Sequence, residues 1–342
     1  MKYVSEVREG NLTTVTEFIL QGLPNHPELE VPLFFIYLVI YILTVLGNIL
    51  IILITMDPAL HTPMYFFLRV LSFLEIWYIS VTIPQMLVNF LSEVKSISYI
   101  GCAAQLFFLF FFGISECFLL ACMAYDRYVA ICHPLRYHHI MNRRVCLALT
   151  VLSWIYGTIV SLVQTIWVFT FPFCGSNQIN YFFCDVTPLI TLACTDTSLF
   201  ELQLFTITML CNFIPFCLIL LSYIVIISTI FKMASAEGRQ KAFSTCSSHL
   251  IVVMLYYGAS GLIYLRPKST TSLESNKVIA LLYTTVTPIL NPVIYSLRNK
   301  EVKGALWRFF GGGLKRNTIL SQKTIGVQIL LSDQLSSSRN PE

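Results

Sequence analysis

The sequence predicts an all-α membrane protein, a seven-transmembrane helix bundle with a short amphipathic helix after the last span. Three observations carry that reading. Of 342 residues, 56% are hydrophobic and the mean hydropathy is +0.72, more apolar surface than a water-soluble fold of this length buries. Only 12% are charged, roughly half the ~25% usual in soluble domains. Seven separate stretches reach the ~20 apolar residues that a helix needs to cross a hydrocarbon core about 30 Å thick. The net charge of +4 is spread along the chain, so membrane lipid is an expected partner and nucleic acid is not.

The first span, Val31 to Ile54, contains no charge. The second, Met64 to Leu91, carries Arg69 and Glu75, and the third, Ile100 to Tyr125, carries Glu116. Val145 to Phe171, Leu199 to Phe231, Ala242 to Leu265 and Asn276 to Leu297 complete the set. These runs are too long and too evenly apolar for barrel strands, which alternate over ~10 residues, and no internal repeat of the kind common in transporters is visible.

An odd number of crossings puts the two termini on opposite sides. Sixteen of the 22 Lys and Arg residues, among them Arg127, Arg136, Arg143, Arg144, Arg239, Lys241 and Arg298, fall on the side that follows spans one, three, five and seven. The positive-inside rule makes that side cytoplasmic. Asn11, in the sequon Asn11-Leu12-Thr13, is then a glycosylation acceptor on the outside. Residues 1–30 hold five glutamates and no continuous apolar run, so the first span is expected to serve as an uncleaved targeting signal. The expected organisation is an extracellular segment (1–30), a seven-span membrane domain (31–298), a membrane-surface helix (299–310) and a disordered cytoplasmic tail (311–342). Val302, Leu306 and Phe309 give the surface helix its apolar face.

This topology sorts the 11 cysteines. Cys102, Cys174, Cys184 and Cys194 fall outside, where an even count predicts two disulfides with three connectivities open. The loop from Pro172 to Ser198, pinned by crosslinks, would act as a lid.

Charge within lipid is costly and marks function. Glu116 and Arg127 are 11 residues apart, about three helical turns, and so share a face of the third span with Leu109 and Gly113. Glu75 should meet Glu116 inside the bundle, where the two acids either share a proton or hold a cation; the alternative is that each is hydrogen-bonded to Ser, Asn or water. Asp126 and Arg127 form an adjacent pair that can be made or broken. Asn291-Pro292 should kink the seventh span, and His249 reads as a packing residue. Phe107, Phe108, Phe110, Phe111 and Phe112 are expected to line an apolar cavity in the outer half. No hydrolase, zinc or phosphate-loop motif is present, so the chain is not expected to be an enzyme. A channel or small transporter would use Glu75 and Glu116 as a relay, but a continuous polar path is missing.

Several motifs resemble one family, the olfactory (odorant) receptors of the rhodopsin-like G-protein-coupled class. They are Pro63-Met-Tyr-Phe-Phe-Leu68, Met123-Ala-Tyr-Asp-Arg-Tyr-Val-Ala-Ile-Cys-His-Pro-Leu-Arg-Tyr137, Ser222-Tyr223, Lys241-Ala-Phe-Ser-Thr-Cys-Ser-Ser-His249 and Pro288-Ile-Leu-Asn-Pro-Val-Ile-Tyr-Ser-Leu-Arg-Asn299. The resemblance spans roughly residues 10–310. It implies disulfides Cys102–Cys184 and Cys174–Cys194, and a G-protein-facing switch of Asp126, Arg127 and Tyr128 with Tyr223, Asn291, Pro292 and Tyr295. It also implies an ion or proton site at Glu75 and Glu116, holding sodium or a proton, with no other cofactor. The implied odorant pocket comprises Phe110, Gly113, Ile114, Thr208, Tyr257 and Tyr264. Receptors for amine transmitters place an aspartate where Leu109 stands, so a neutral or weakly polar ligand is expected. The implied partners are an odorant and a stimulatory G protein that raises cyclic AMP at the plasma membrane. Glu75 replaces the family's usual aspartate, Arg69 stands where a small polar residue is usual, and residues 311–342 extend past the usual end.

Overall fold

A computed structural model describes residues 15–22, 27–174, 176–264 and 273–298, together with 302 and 304. The rest of the predicted surface helix, the predicted tail, Asn11, and the side chains of Tyr264 and Tyr295 lie outside the described residues.

Among the described residues seven long helices form the bundle: α1 (Glu30–Ile54), α2 (Pro63–Leu91), α3 (Tyr99–Cys132), α5 (Arg143–Thr170), α7 (Ser198–Lys232), α8 (Ala236–Tyr264) and α9 (Leu273–Arg298). Two short helices lie in the loops, α4 (Tyr137–Ile140) and α6 (Val186–Ile190). By length and composition α1, α2, α3, α5 and α7 are each apolar enough to cross a membrane. Their outward faces carry large exposed side chains, such as Phe35, Leu43 and Leu46 on α1. Such a belt would be an aggregation surface in water and is an ordinary surface in lipid.

Sequence and structure agree to within a residue or two at most span ends. The exceptions are α3, which runs seven residues past Tyr125, α8, which starts six residues before Ala242, and α9, which starts three residues before Asn276. The apolar run reports only the part of a helix that lipid touches, and a helix continues in water as long as its side chains permit. Side-chain caps close some ends: Ser98 accepts from Gly101 N at 3.0 Å and Asn142 accepts from Arg144 N and Val145 N at 3.0 and 3.1 Å.

α3 is the central post, packed on α2, α5, α7 and α8, while α1 packs on α2 and α9. Two prolines interrupt α9, Pro288 and Pro292. Asn48 Nδ2 from α1 donates to the Pro288 carbonyl at 3.3 Å, and Gly47 leaves room for Pro292, whose Cβ would lie 3.2 Å from an added Cβ. Arg69, unusual in its place, donates to the Thr55 carbonyl and so covers the C-terminal end of α1, where a cation is favoured.

A three-stranded sheet was not foreseen at the end of the bundle that carries the N-terminal segment, the outer end in the expected topology. β1 (Glu17–Leu20) lies between β2 (Ser96–Ser98), antiparallel, and β3 (Gln178–Ile179), parallel. It ties the N-terminal segment to the α2–α3 connection and the long loop, around a fully buried Phe18 that contacts Tyr99 and Phe173.

Candidate functional site

The long loop is a lid. Cys102 on α3 is joined to Cys184, and Cys174 to Cys194, with Cα atoms 5.4 and 5.7 Å apart. Gln105 supports the first crosslink: its Nε2 donates to the Val81 carbonyl at 2.7 Å and its Oε1 accepts from Cys184 N at 2.8 Å. Within the loop, Tyr181, Phe182, Phe183 and Cys184 are buried. Lys277 from α9 donates to Asn180 and to the Gly22 carbonyl, fastening lid and N-terminal segment together.

Under this lid lies a cavity of about 120 Å³, comparable with the roughly 150 Å³ apolar cavity that admits benzene. Leu106, Leu109, Phe110, Gly113, Ile114 and Cys117 of α3 form one wall, Leu204, Ile207, Thr208, Cys211 and Asn212 of α7 another, and Val160 and Gln164 of α5 a third. Phe183 and Asp185 form the roof, and Tyr78, Tyr256 and Thr284 enter from α2, α8 and α9. Burial pushes the Asp185 carboxyl up to about 6, outweighing the hydrogen bond that its Oδ1 accepts from Val186 N at 2.7 Å.

Four of the six expected pocket residues, Phe110, Gly113, Ile114 and Thr208, line this cavity. Tyr257 does not. Its hydroxyl lies 3.1 Å from Cys117 Sγ, and the neighbouring Tyr256 reaches the cavity, donating to the Gly113 carbonyl at 2.7 Å. One residue along a helix turns a side chain by 100°, so sequence reasoning found the right turn and the wrong face. The same rotation corrects the phenylalanine run. Of Phe107, Phe108, Phe110, Phe111 and Phe112 only Phe110 lines the cavity, while Phe107 stacks on Phe111 and Phe108 is 41% exposed. Gln164, Asn212, Asp185, Tyr78 and Thr284 were also missed. The available signal was a polar residue within or beside an apolar span.

Deeper in the bundle Glu75 and Glu116 are buried, 0% and 4% exposed, and close enough to interact electrostatically. Asn291 Nδ2 donates to Glu75 Oε1. Glu75 Oε2, Glu116 Oε1, Asn48 Oδ1 and Asn291 Oδ1 are buried without a hydrogen-bond partner among the described residues. Such an all-oxygen donor set fits a hard cation or a shared proton. No cluster of three or more His, Cys, Asp and Glu side chains suited to a metal is found among the described residues.

At the inner end, Arg127 Nη2 donates to Asp126 Oδ2 at 2.6 Å, and the Tyr137 hydroxyl donates to Asp126 Oδ1 at 2.8 Å. Tyr223 pairs with the buried His249 at 2.8 Å, its ring stacked on the imidazole, and Tyr128 pairs with His133 at 3.1 Å. His249 is thus a packing residue with a specific polar partner.

Comparison with known proteins supplies the context. The olfactory receptor family model matches residues 37–312. The chain is 56% identical over 299 residues to human olfactory receptor 10A7, covering 87% of this chain and 95% of that one. To human olfactory receptors 10A5 and 5G3 it is 55% and 51% identical over 303 residues, covering 88% of this chain and 96% of each relative.

Proposed function

Because the chain belongs to the olfactory receptor family, we propose that it detects a small volatile ligand in the lidded outer cavity and passes the signal through a stimulatory G protein to cyclic AMP. The carrying observation is one helix, α3, that serves both ends: its outer turns line the cavity and its inner turn carries Arg127. A ligand that fits better when α8 swings away from α3 shifts an existing equilibrium toward that state. Tyr256 and Tyr257, which bond to Gly113 and Cys117, couple α8 to the cavity wall.

In this reading the termini lie on opposite sides, with the N-terminus and its Asn11 sequon outside and the basic loops around Arg136, Arg143, Arg144, Arg239 and Lys241 facing the G protein. Opening would separate Arg127 from Asp126 and free Tyr223, alongside Tyr128, Asn291, Pro292 and Tyr295. Glu75 and Glu116 would hold a sodium ion or a proton, supported by the unpaired oxygens around them. That group would stabilise one packing of α2, α3 and α9. The test is expression of the full chain with a cyclic-AMP readout across a broad odorant panel. A ligand-dependent rise supports the reading; a surface-displayed chain silent to every compound contradicts it.

A further inference from the structure

The polar side chains on the buried stripe of α5 fall into two kinds. Thr150, Ser153 and Ser161 turn their hydroxyls back onto the carbonyls of Cys146, Leu149 and Gly157 at 3.0, 2.8 and 2.6 Å, and so satisfy themselves. Gln164 and Thr165 do not, and of the two only Gln164 lines the cavity. It is 1% exposed, it lines the cavity, and neither Nε2 nor Oε1 has a hydrogen-bond partner among the described residues. Gln105 shows the contrasting case, a buried glutamine whose two amide atoms are both taken up by backbone holding the lid. Buried polar atoms are nearly always paired, and a lone unpaired carboxamide is a net cost to the fold. The partner that Gln164 lacks in the protein is supplied by whatever fills the cavity.

Resting on the odorant-cavity reading, we propose that Gln164 is the polar anchor of the site and that its ligand is a small alcohol, a hydrocarbon body carrying one hydroxyl. A hydroxyl both donates and accepts, so a single oxygen satisfies Oε1 and Nε2 together. An aldehyde or ketone only accepts and leaves Oε1 unpaired; an ammonium only donates and leaves Nε2 unpaired; a hydrocarbon leaves both. Sites built to hydrogen-bond a hydroxyl reject analogues lacking it far more strongly than an apolar wall rejects a misplaced methylene. Asp185 on the roof is a further acceptor, which again favours a ligand that donates. Leu106, Leu109, Phe110 and Ile207 form the walls for the hydrocarbon body.

The experiment uses the full chain displayed on cells and a matched alcohol, aldehyde, amine and hydrocarbon on one skeleton about the size of benzene, as the cavity volume requires. The alcohol should act at a concentration ~10-fold or more below the others, the factor that one neutral hydrogen bond supplies. Gln164→Met, similar in volume and lacking the carboxamide, should bring the four compounds to within roughly 2-fold, and Gln164→Asn should retain part of the preference. A wild-type chain that responds without preferring the alcohol overturns this inference and leaves the odorant reading intact. An alcohol preference unchanged in displayed Gln164→Met overturns it too. Should Gln164→Met not reach the surface, Gln164→Asn decides, a reduced preference supporting the anchor and an undiminished one overturning it. Silence to the series and to a broad panel overturns both readings together.

Discussion

The outer and inner ends of the bundle handle polar groups in opposite ways. At the inner end Arg127, Asp126 and Tyr137 form a closed set, and Tyr223 and His249, and Tyr128 and His133, are likewise paired. Beneath the lid, Gln164 faces a cavity with both amide atoms unpaired. Paired groups hold a conformation until something better is offered, whereas unpaired ones bind what completes them. In the proposed reading the outer end receives the ligand and the inner end latches the bundle, with α3 running between them.

The largest effect expected from breaking this contrast comes from Arg127→Ala. Ligand-dependent cyclic AMP should fall to background while surface display, read with an N-terminal tag, persists; full signalling would remove Arg127 from the latch. Next is Gly113→Leu. An added Cβ at Gly113 meets nothing within 4 Å, so the backbone tolerates the change while the side chain fills the cavity. Ligand potency should drop by roughly 30-fold or more, since a small cavity that is overfilled loses most of its contacts. Unchanged potency would place the ligand elsewhere.

Tyr137→Phe sharpens the comparison from the inner end. It removes one of two groups bonded to Asp126, a hydrogen bond to a charged partner worth about 1.5 kcal/mol or more in stability. Ligand-free cyclic AMP should therefore rise by about tenfold; a basal level equal to wild type would mean that Tyr137 does not hold the closed state. The smallest effect is a pH dependence. With its carboxyl raised from 3.8 to about 6, folded Asp185 binds a proton more readily than the unfolded chain does. Its favourable contribution is present below about pH 4 and lost as pH rises through about 6. Asp185→Asn keeps an N-cap residue and removes the charge. Thermal unfolding of the variant at pH 7 should match or exceed wild type, and the gain that wild type shows between pH 7 and pH 5 should disappear. A variant less stable at pH 7 with the same slope would contradict the assignment.

The spans were legible because lipid imposes one requirement on every crossing segment, a long apolar run, which α1, α2, α3, α5 and α7 satisfy openly. The extension of α3 past Tyr125 was hidden because water makes no such demand. The sheet was hidden for another reason: strands as short as Gln178–Ile179 have no period to detect, and β1 is defined by partners 77 or more residues away. Of the outer site, Leu109 and Gly113 were legible through their shared face with Glu116 and Phe110 through the phenylalanine run, while Ile114 followed from the resemblance alone and Leu106 and Cys117 were missed. Tyr256 and Tyr257 differ by a single step, which pattern alone could not resolve. Gln164 looked like any polar interruption of an apolar helix, since its meaning comes from the hydrogen bonds it does not make.

The most direct test follows one distance. Labels placed site-specifically at Arg144 on α5 and Arg239 on α8, both exposed near the inner end, report the separation of those helices in the full chain. A ligand that occupies the outer cavity should lengthen it by roughly 5 Å, the scale of one helical turn, and Gly113→Leu should abolish the change. A cavity-bound ligand that activates cyclic AMP while leaving this distance unaltered would contradict the coupling of the two ends.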